Sequence, residues 1–141
     1  MNLVFGQDAF IKPWVAERIP YCDGFDDTAV TIGIADGEKL IAGWVYHLFC
    51  GADIHIAVAA DSPKWATRGI LAGLFHYPFI QLGCRRVTAI TPKYNARARK
   101  FALSLGFRLE GKMRQHYDGK DAIVYGMLKH ECKWIKHDLS F

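Results

Sequence analysis

Polar and apolar residues alternate through ADIHIAVAA, residues 52–60, with Ile54, Ile56 and Val58 on one side and Asp53, His55 and Ala57 on the other. That period of two predicts a strand with one face in a core. Two more strands are predicted from TAVTIGIADGEKLIAGWVYHLF, residues 28–49, where Asp36 and Gly37 supply the turn chemistry of a hairpin. A short strand at residues 3–6 precedes them. Between it and the hairpin, apolar residues at Phe10, Ile11, Trp14, Val15 and Ile19 give helical spacing from Asp8 to Ile19, with Pro13 tolerated in the first turns and Pro20 as a stop. The stretch YCDGFDD that follows reads as a loop.

Beyond residue 60 the period changes. Asp61 or Ser62 can cap a helix, Pro63 suits its first position, and apolar residues recur at 65, 70, 71, 74 and 75, with Pro78 expected to kink or end it. RRVTAIT, residues 85–91, reads as a strand, and NARARKFALSLG as a helix ended by Gly106. Residues 107–110 and 122–128 predict two final strands around an Asp118-Gly119 turn. The order is β-α-β-β-β-α-β-α-β-β, with no repeat or linker, which predicts one α/β domain over residues 1–141.

Charge divides the chain. Up to Asp61 there are nine acidic and three basic residues, and after it fifteen basic and five acidic. Half of the 18 Lys and Arg residues lie between Arg85 and Arg114, where Glu110 is the only acid. One half therefore suits a cation and the other an anion. No window is apolar enough for a membrane span and the first twenty residues lack a signal-peptide pattern, so a cytoplasmic protein is expected. Cys22, Cys50, Cys84 and Cys132 form no CxxC pair, which argues against a zinc ribbon or disulfide framework and for ordinary buried thiols. His130, Cys132 and His137 lack useful ligand spacing, so no metal is expected. The aromatics near the basic residues sit at core spacing without an RNA or DNA motif, so nucleic acid is not an expected partner.

NARARKFALSLGFRLEGKMR, residues 95–114, followed by YDGKDAIVYGML, resembles the GNAT superfamily of acyl-coenzyme A N-acyltransferases, in particular ribosomal-protein N-terminal acetyltransferases and short acetyltransferases encoded by bacteriophages. The resemblance implies a mixed central sheet of about seven strands flanked by helices, and transfer of an acetyl group from acetyl-CoA to a primary amine. It also implies how the helix after the fourth strand is used. Ala66, Thr67, Arg68, Gly69, Ile70 and Leu71 align with the family's pyrophosphate-binding signature, matching at Arg68 and Gly69 but not at the first and last positions. Main-chain N–H groups at a helix start can hold the diphosphate, so such departures are tolerable, although a bulky Leu71 could narrow the site. Val58 and Ala60 would pair with pantetheine like an added strand. Asn95 matches a family asparagine that contacts the cofactor, and Arg99, with Arg68, Lys93, Arg97 and Lys100, falls near the adenosine end.

Catalysis on an amine needs that amine neutral. At pH 7 deprotonation costs a lysine roughly 4.6 kcal/mol and an α-amine about 1 kcal/mol. Asp53 stands where several family members place a catalytic glutamate, and His55 shares its face, so one of the two is the expected base. The family's tyrosine seven residues after the asparagine is Ala102 here. Tyr94, Tyr117 and Tyr125 are the substitutes for its proton-donor role, with Tyr125 expected in the core. Asp23, Asp26, Asp27, Asp36 and Asp53 point to a cationic acceptor: a protein lysine or N-terminus, a polyamine or an aminoglycoside. A non-catalytic acyl-CoA-binding protein on the same fold is the alternative. Dimers are common among such relatives, and the tail bearing Trp134 and Phe141 is either a packing strap or a partner surface.

Overall fold

A computed structural model describes residues 1–137. Seven strands form one mixed sheet in the order β1-β2-β3-β4-β5-β7-β6. They are β1 (Asn2–Val4), β2 (Val30–Asp36), β3 (Lys39–His47), β4 (Asp53–Ala60), β5 (Arg86–Pro92), β6 (Arg108–Tyr117) and β7 (Lys120–Leu128). Three α-helices pack on it: α1 (Asp8–Ala16), α2 (Arg68–His76) and α3 (Ala96–Leu105). The element order matches the sequence expectation. No helix among the described residues is long and apolar enough to cross a membrane.

The alternation that predicts the strands also divides the core. Ile54, Ile56, Trp44, Tyr46 and Val87 face a large cluster with Leu71, Leu74 and Phe75 of α2 and Ala102 and Leu105 of α3. Val45 and Ala59 point the other way, against Ile11 and Val15 of α1. Gly33 and Gly43 are paired across β2 and β3 beneath that helix. A Cβ on Gly43 would stand 2.7 Å from Val15, so α1 lies this close only because the side chain is missing.

Residues 61–76 differ from the expectation of a single helix. Ser62 and Pro63 start a separate 3-10 turn, Pro63–Trp65, and Thr67 is the cap of α2, its hydroxyl accepting from the amide of Ile70. Two capping signals stand five residues apart, each with its own helical piece. Pro78 does not end the helical path either. The chain widens into a π turn, Tyr77–Gln81. Because Pro78 has no N–H, the Leu74 carbonyl loses its intrahelical donor, and the buried Tyr46 hydroxyl donates to it at 2.6 Å. Helix α1 stops at Ala16 instead of Ile19. At the other end of the chain, β6 runs on to Tyr117, so the basic stretch after Glu110 is an exposed edge strand.

Gly106 ends α3 with φ of 106°, and Phe107 behind it is buried in the large cluster. Trp134 packs against the same cluster and its indole N–H donates to the Leu105 carbonyl at 2.8 Å, which makes this part of the tail a packing strap. Phe141 lies outside the described residues. Cys84 and Cys132 are buried as expected of structural thiols, whereas Cys50 is exposed and Cys22 half-buried.

Tyr46→Phe keeps the ring and strands the Leu74 carbonyl in a dry interior. The expected loss is about 1–3 kcal/mol, read as a lower urea midpoint with an unchanged slope.

Candidate active site

Strands β4 and β5 run parallel, but they pair only from Asp53–Arg86 to Ile56–Ala89. Beyond that point each stays with its outer neighbour: β4 with β3 as far as Ala60–Ala42, and β5 with β7 as far as Pro92–Ala122. The sheet therefore opens between them, and the main-chain groups of β4 that face β5 past Ile56 have no strand partner. Pro92 closes off any return, because it has no N–H to offer a ladder.

A cavity of about 640 Å³ fills the opening. His55, Ala57, Ile90 and Pro92 line it on the α1 face, and Ile56, Val58, Ala89 and Thr91 on the helix α3 face, so it passes through the sheet. None of the 18 Lys and Arg residues lines it, whereas Asp23 and Asp26 do. The Thr91 hydroxyl is buried there without a hydrogen-bond partner.

On the α1 face, the cavity is roofed by the loop between α1 and β2. Tyr21 has φ of 56° and its ring stacks on Tyr117 at 5.5 Å. Tyr117 is delivered by a bulge in β6: Gln115 adopts φ of 54°, and its amide donates to the Asp121 carboxylate at 2.9 Å. The Tyr117 hydroxyl donates to the Ile90 carbonyl, 3.4 Å away. Burial, and then the neighbouring Tyr94, push its pKa up, so the phenol keeps its proton at neutral pH. Among the described residues, three of the four non-glycine positions in the left-handed region, Tyr21, Leu48 and Gln115, belong to or aim at this one cavity, a concentration of backbone strain typical of working sites.

The two expected bases part company. Asp53 does not line the cavity. Its carboxylate accepts from Thr88 at 2.8 Å and from Arg86 at 3.3 Å, and Arg86 is held in turn by Glu110 at 2.9 Å. The other Asp53 oxygen lies 3.5 Å from Nε2 of His55, which does line the cavity. Asp53 is thus a charged neighbour of the imidazole, and His55 meets the open space. Burial lowers the His55 pKa, Asp53 raises it by a smaller amount, and Arg86 lowers it further. At neutral pH the ring is uncharged and can take a proton.

His47, which the sequence reading does not single out, pairs with His55 across β3 and β4, with ring centroids 6.0 Å apart. Its pKa is also lowered, by burial and then by His55, with Asp26 opposing. Asp26 itself is anchored, accepting from the amide and hydroxyl of Thr28 and from the amide of Ala29.

The residues expected to hold the cofactor are partly confined by their own bonds. The Ala66 amide donates to Pro63, that of Thr67 to Trp65 and that of Ile70 to the Thr67 hydroxyl. Arg68 and Gly69 are left as the first-turn amides of α2 without helical partners, and a Cβ on Gly69 would meet nothing within 4 Å. Leu71 does not narrow the site, because it is buried in the large cluster. Trp65 is packed edge-on against Trp44 and Phe101. Residues 59–70, Ala60 among them, do not line the cavity, which on this side ends at Val58 and Asn95. Asn95 also caps α3 through the Ala98 amide. The guanidinium of Arg99 bonds the Tyr125 hydroxyl and the Lys93 carbonyl, tying the start of α3 to β7; Tyr125 is buried.

A spermidine N-acetyltransferase chimera from Vibrio cholerae and hSSAT superposes on this chain with a TM-score of 0.73 at 11% identity, covering 92% of this chain and 96% of that one. The chain has the GNAT acetyltransferase fold. The ribosomal-protein-S5-alanine acetyltransferase of Vibrio fischeri gives a TM-score of 0.61 at 20% identity over 74% of this chain. The alignments span 62–64% of the length of several of the acetyltransferase structures matched. No family model matches the chain, and no curated protein matches it by sequence.

The histidine shifts fix the sign of a pH effect. A folded-state pKa below the ordinary 6.5 means that the unfolded chain binds more protons, so stability falls as pH drops from about 6.5 toward the folded values. Asp53→Asn removes the one acid that favours the His55 imidazolium. It is expected to move the His55 titration, followed by NMR of the ring carbon, to still lower pH.

Proposed function

We propose that this chain is an acyl-CoA-dependent N-acyltransferase, with acetyl-CoA as donor and a primary amine of a protein or small molecule as acceptor. The observation that carries this reading is the cavity crossing the sheet where β4 and β5 separate, with a neutral histidine on one wall. Acyl-CoA supplies an activated carbonyl and a thiolate leaving group. The chain's own residues have to hold it, exclude water and move protons.

The residues present fit such a donor. The amides of Arg68 and Gly69 at the start of α2 suit its diphosphate, and the unpaired edge of β4 from Ala57 to Ala60 suits the amides of its pantetheine arm. Asn95 stands at the α3 end of the cavity. The buried, unpartnered Thr91 hydroxyl supplies one further polar group.

On the α1 face, Asp23 and Asp26 make the chamber anionic, which draws in a protonated amine. Burial there then favours loss of its charge. His55, with the Asp53 carboxylate beside it, takes the proton from the amine, directly or through water. Tyr117 keeps its proton and is the donor to the departing thiolate. With a thiol pKa near 8.5, that assistance is useful without being required. An α-amine or another amine of low pKa asks least of a histidine base. The carboxylates of the acid-rich half thus serve the acceptor, and the Lys and Arg side chains of the basic half lie outside the cavity, where the nucleotide end of the donor would be.

Coenzyme release measured with a panel of amines tests the assignment. His55→Gln should lower turnover by about 10²–10⁴-fold, the range for a lost general base, while leaving coenzyme A affinity unchanged by calorimetry. A wild-type protein that binds acetyl-CoA and releases no coenzyme with any amine would be a binding protein instead.

A further inference from the structure

The cavity has a second chamber, on the far side of the sheet from His55. Its walls are Ile56 of β4, Ala98, Phe101, Ala102 and Leu105 of α3, and Phe107 just beyond the helix. Ala98 and Ala102 are four residues apart and share the inward face of α3, where two methyl groups leave room that larger side chains would fill. The chamber reaches Leu105 and Phe107, which are only 4% and 3% exposed, so it enters the main core. These six side chains are all apolar; the polar lining on the same face is Thr91 and Asn95, farther along toward the open ends of β4 and β5.

The end walled by Phe101, Leu105 and Phe107 does not suit the pantetheine arm. That arm carries secondary amides, and amides placed among Phe101, Leu105 and Phe107 would have no hydrogen-bond partner. The partners they need lie elsewhere, on the unpaired edge of β4. An arm lying along that edge brings its sulfur to the gap in the sheet. The apolar chamber then opens beside the thioester, suited to a group made of methylenes.

We propose that the chamber under α3 is an acyl-chain site, and that besides acetyl-CoA the chain accepts unbranched acyl-CoA donors from butyryl to hexanoyl and binds them more tightly. This rests on the acyl-CoA reading above and deepens it. The transfer itself is unchanged: the acyl carbon–sulfur bond breaks, a carbon–nitrogen bond forms, the amine proton leaves through His55, and coenzyme A departs as thiol. What the chamber adds is burial of the alkyl chain, with each methylene removed from water contributing ~0.8 kcal/mol, or about fourfold in affinity.

Calorimetry with unreactive S-alkyl thioethers of coenzyme A separates donor binding from chain selection. S-butyl-CoA is expected to bind wild-type protein about fifteenfold more tightly than S-ethyl-CoA, following the same ~0.8 kcal/mol per methylene. Ala102→Leu, which fills the chamber, should abolish that gain, and Leu105→Ala, which enlarges it, should move the tightest binder to a longer chain. Circular dichroism checks that both variants fold; if neither does, the wild-type series still decides. Free coenzyme A binding with equal or weaker affinity for S-butyl than for S-ethyl overturns the acyl-chain site and leaves the donor assignment standing. Failure of every coenzyme A derivative to bind overturns both.

Discussion

The parting of β4 and β5 after Ile56 and Ala89 is the constraint on which the site depends. Two parallel strands in a sheet normally satisfy each other to their ends, and an abandoned edge in the middle of a sheet is costly unless something else meets its main-chain groups. Here the outer ladders hold each strand on its own course, β3 keeping β4 and β7 keeping β5. The result is an unsatisfied edge and an opening through the sheet at the same place. Everything proposed for the donor follows from that edge, and everything proposed for the reaction follows from the opening, since it lets a group held on the α3 face meet one held on the α1 face.

Electrostatics then assign the two faces. Asp53, Arg86 and Glu110 form a chain of opposite charges beside the cavity instead of within it, so the acid that lies closest to His55 is already neutralised by partners. His55 is left as the only group of that network open to the cavity, with burial keeping its ring uncharged. The carboxylates that do face the cavity, Asp23 and Asp26, come from the roofing loop. The strain stored at Tyr21, Leu48 and Gln115 surrounds the same space, and the bulge at Gln115 is what turns Tyr117 inward.

The parts legible in the sequence are those fixed by neighbours along the chain. Helix α3 and its glycine terminus are set within a dozen residues, and the period of two at residues 52–60 places Asp53 and His55 on one face. The two-cap region at Ser62 and Thr67 is harder, because each signal is genuine and nothing local says that the turn after Pro63 stops at Trp65. The roles of Asp53 and His55 depend on Arg86, Thr88 and Glu110, more than thirty residues from Asp53 along the chain, so alternation could place the pair but not divide its work. His47 becomes a site residue only once the β3–β4 register sets it opposite His55. The chamber under α3 is likewise a product of tertiary packing, since in sequence Ala98 is only part of a helical run and Ala102 only the place where the family's tyrosine is missing. The acetyltransferase fold was legible as a resemblance because its most specific stretch, residues 95–114, is continuous.

Hydrogen exchange resolved to single amides in β4 tests the central claim most directly. If coenzyme A lies along the abandoned edge, saturating coenzyme A should slow exchange of the amides between Ala57 and Ala60 that face the gap, while amides already paired with β3 change little. Unchanged exchange at that edge in a protein that binds coenzyme A would contradict the account, because the donor would then be held somewhere other than the opening between β4 and β5.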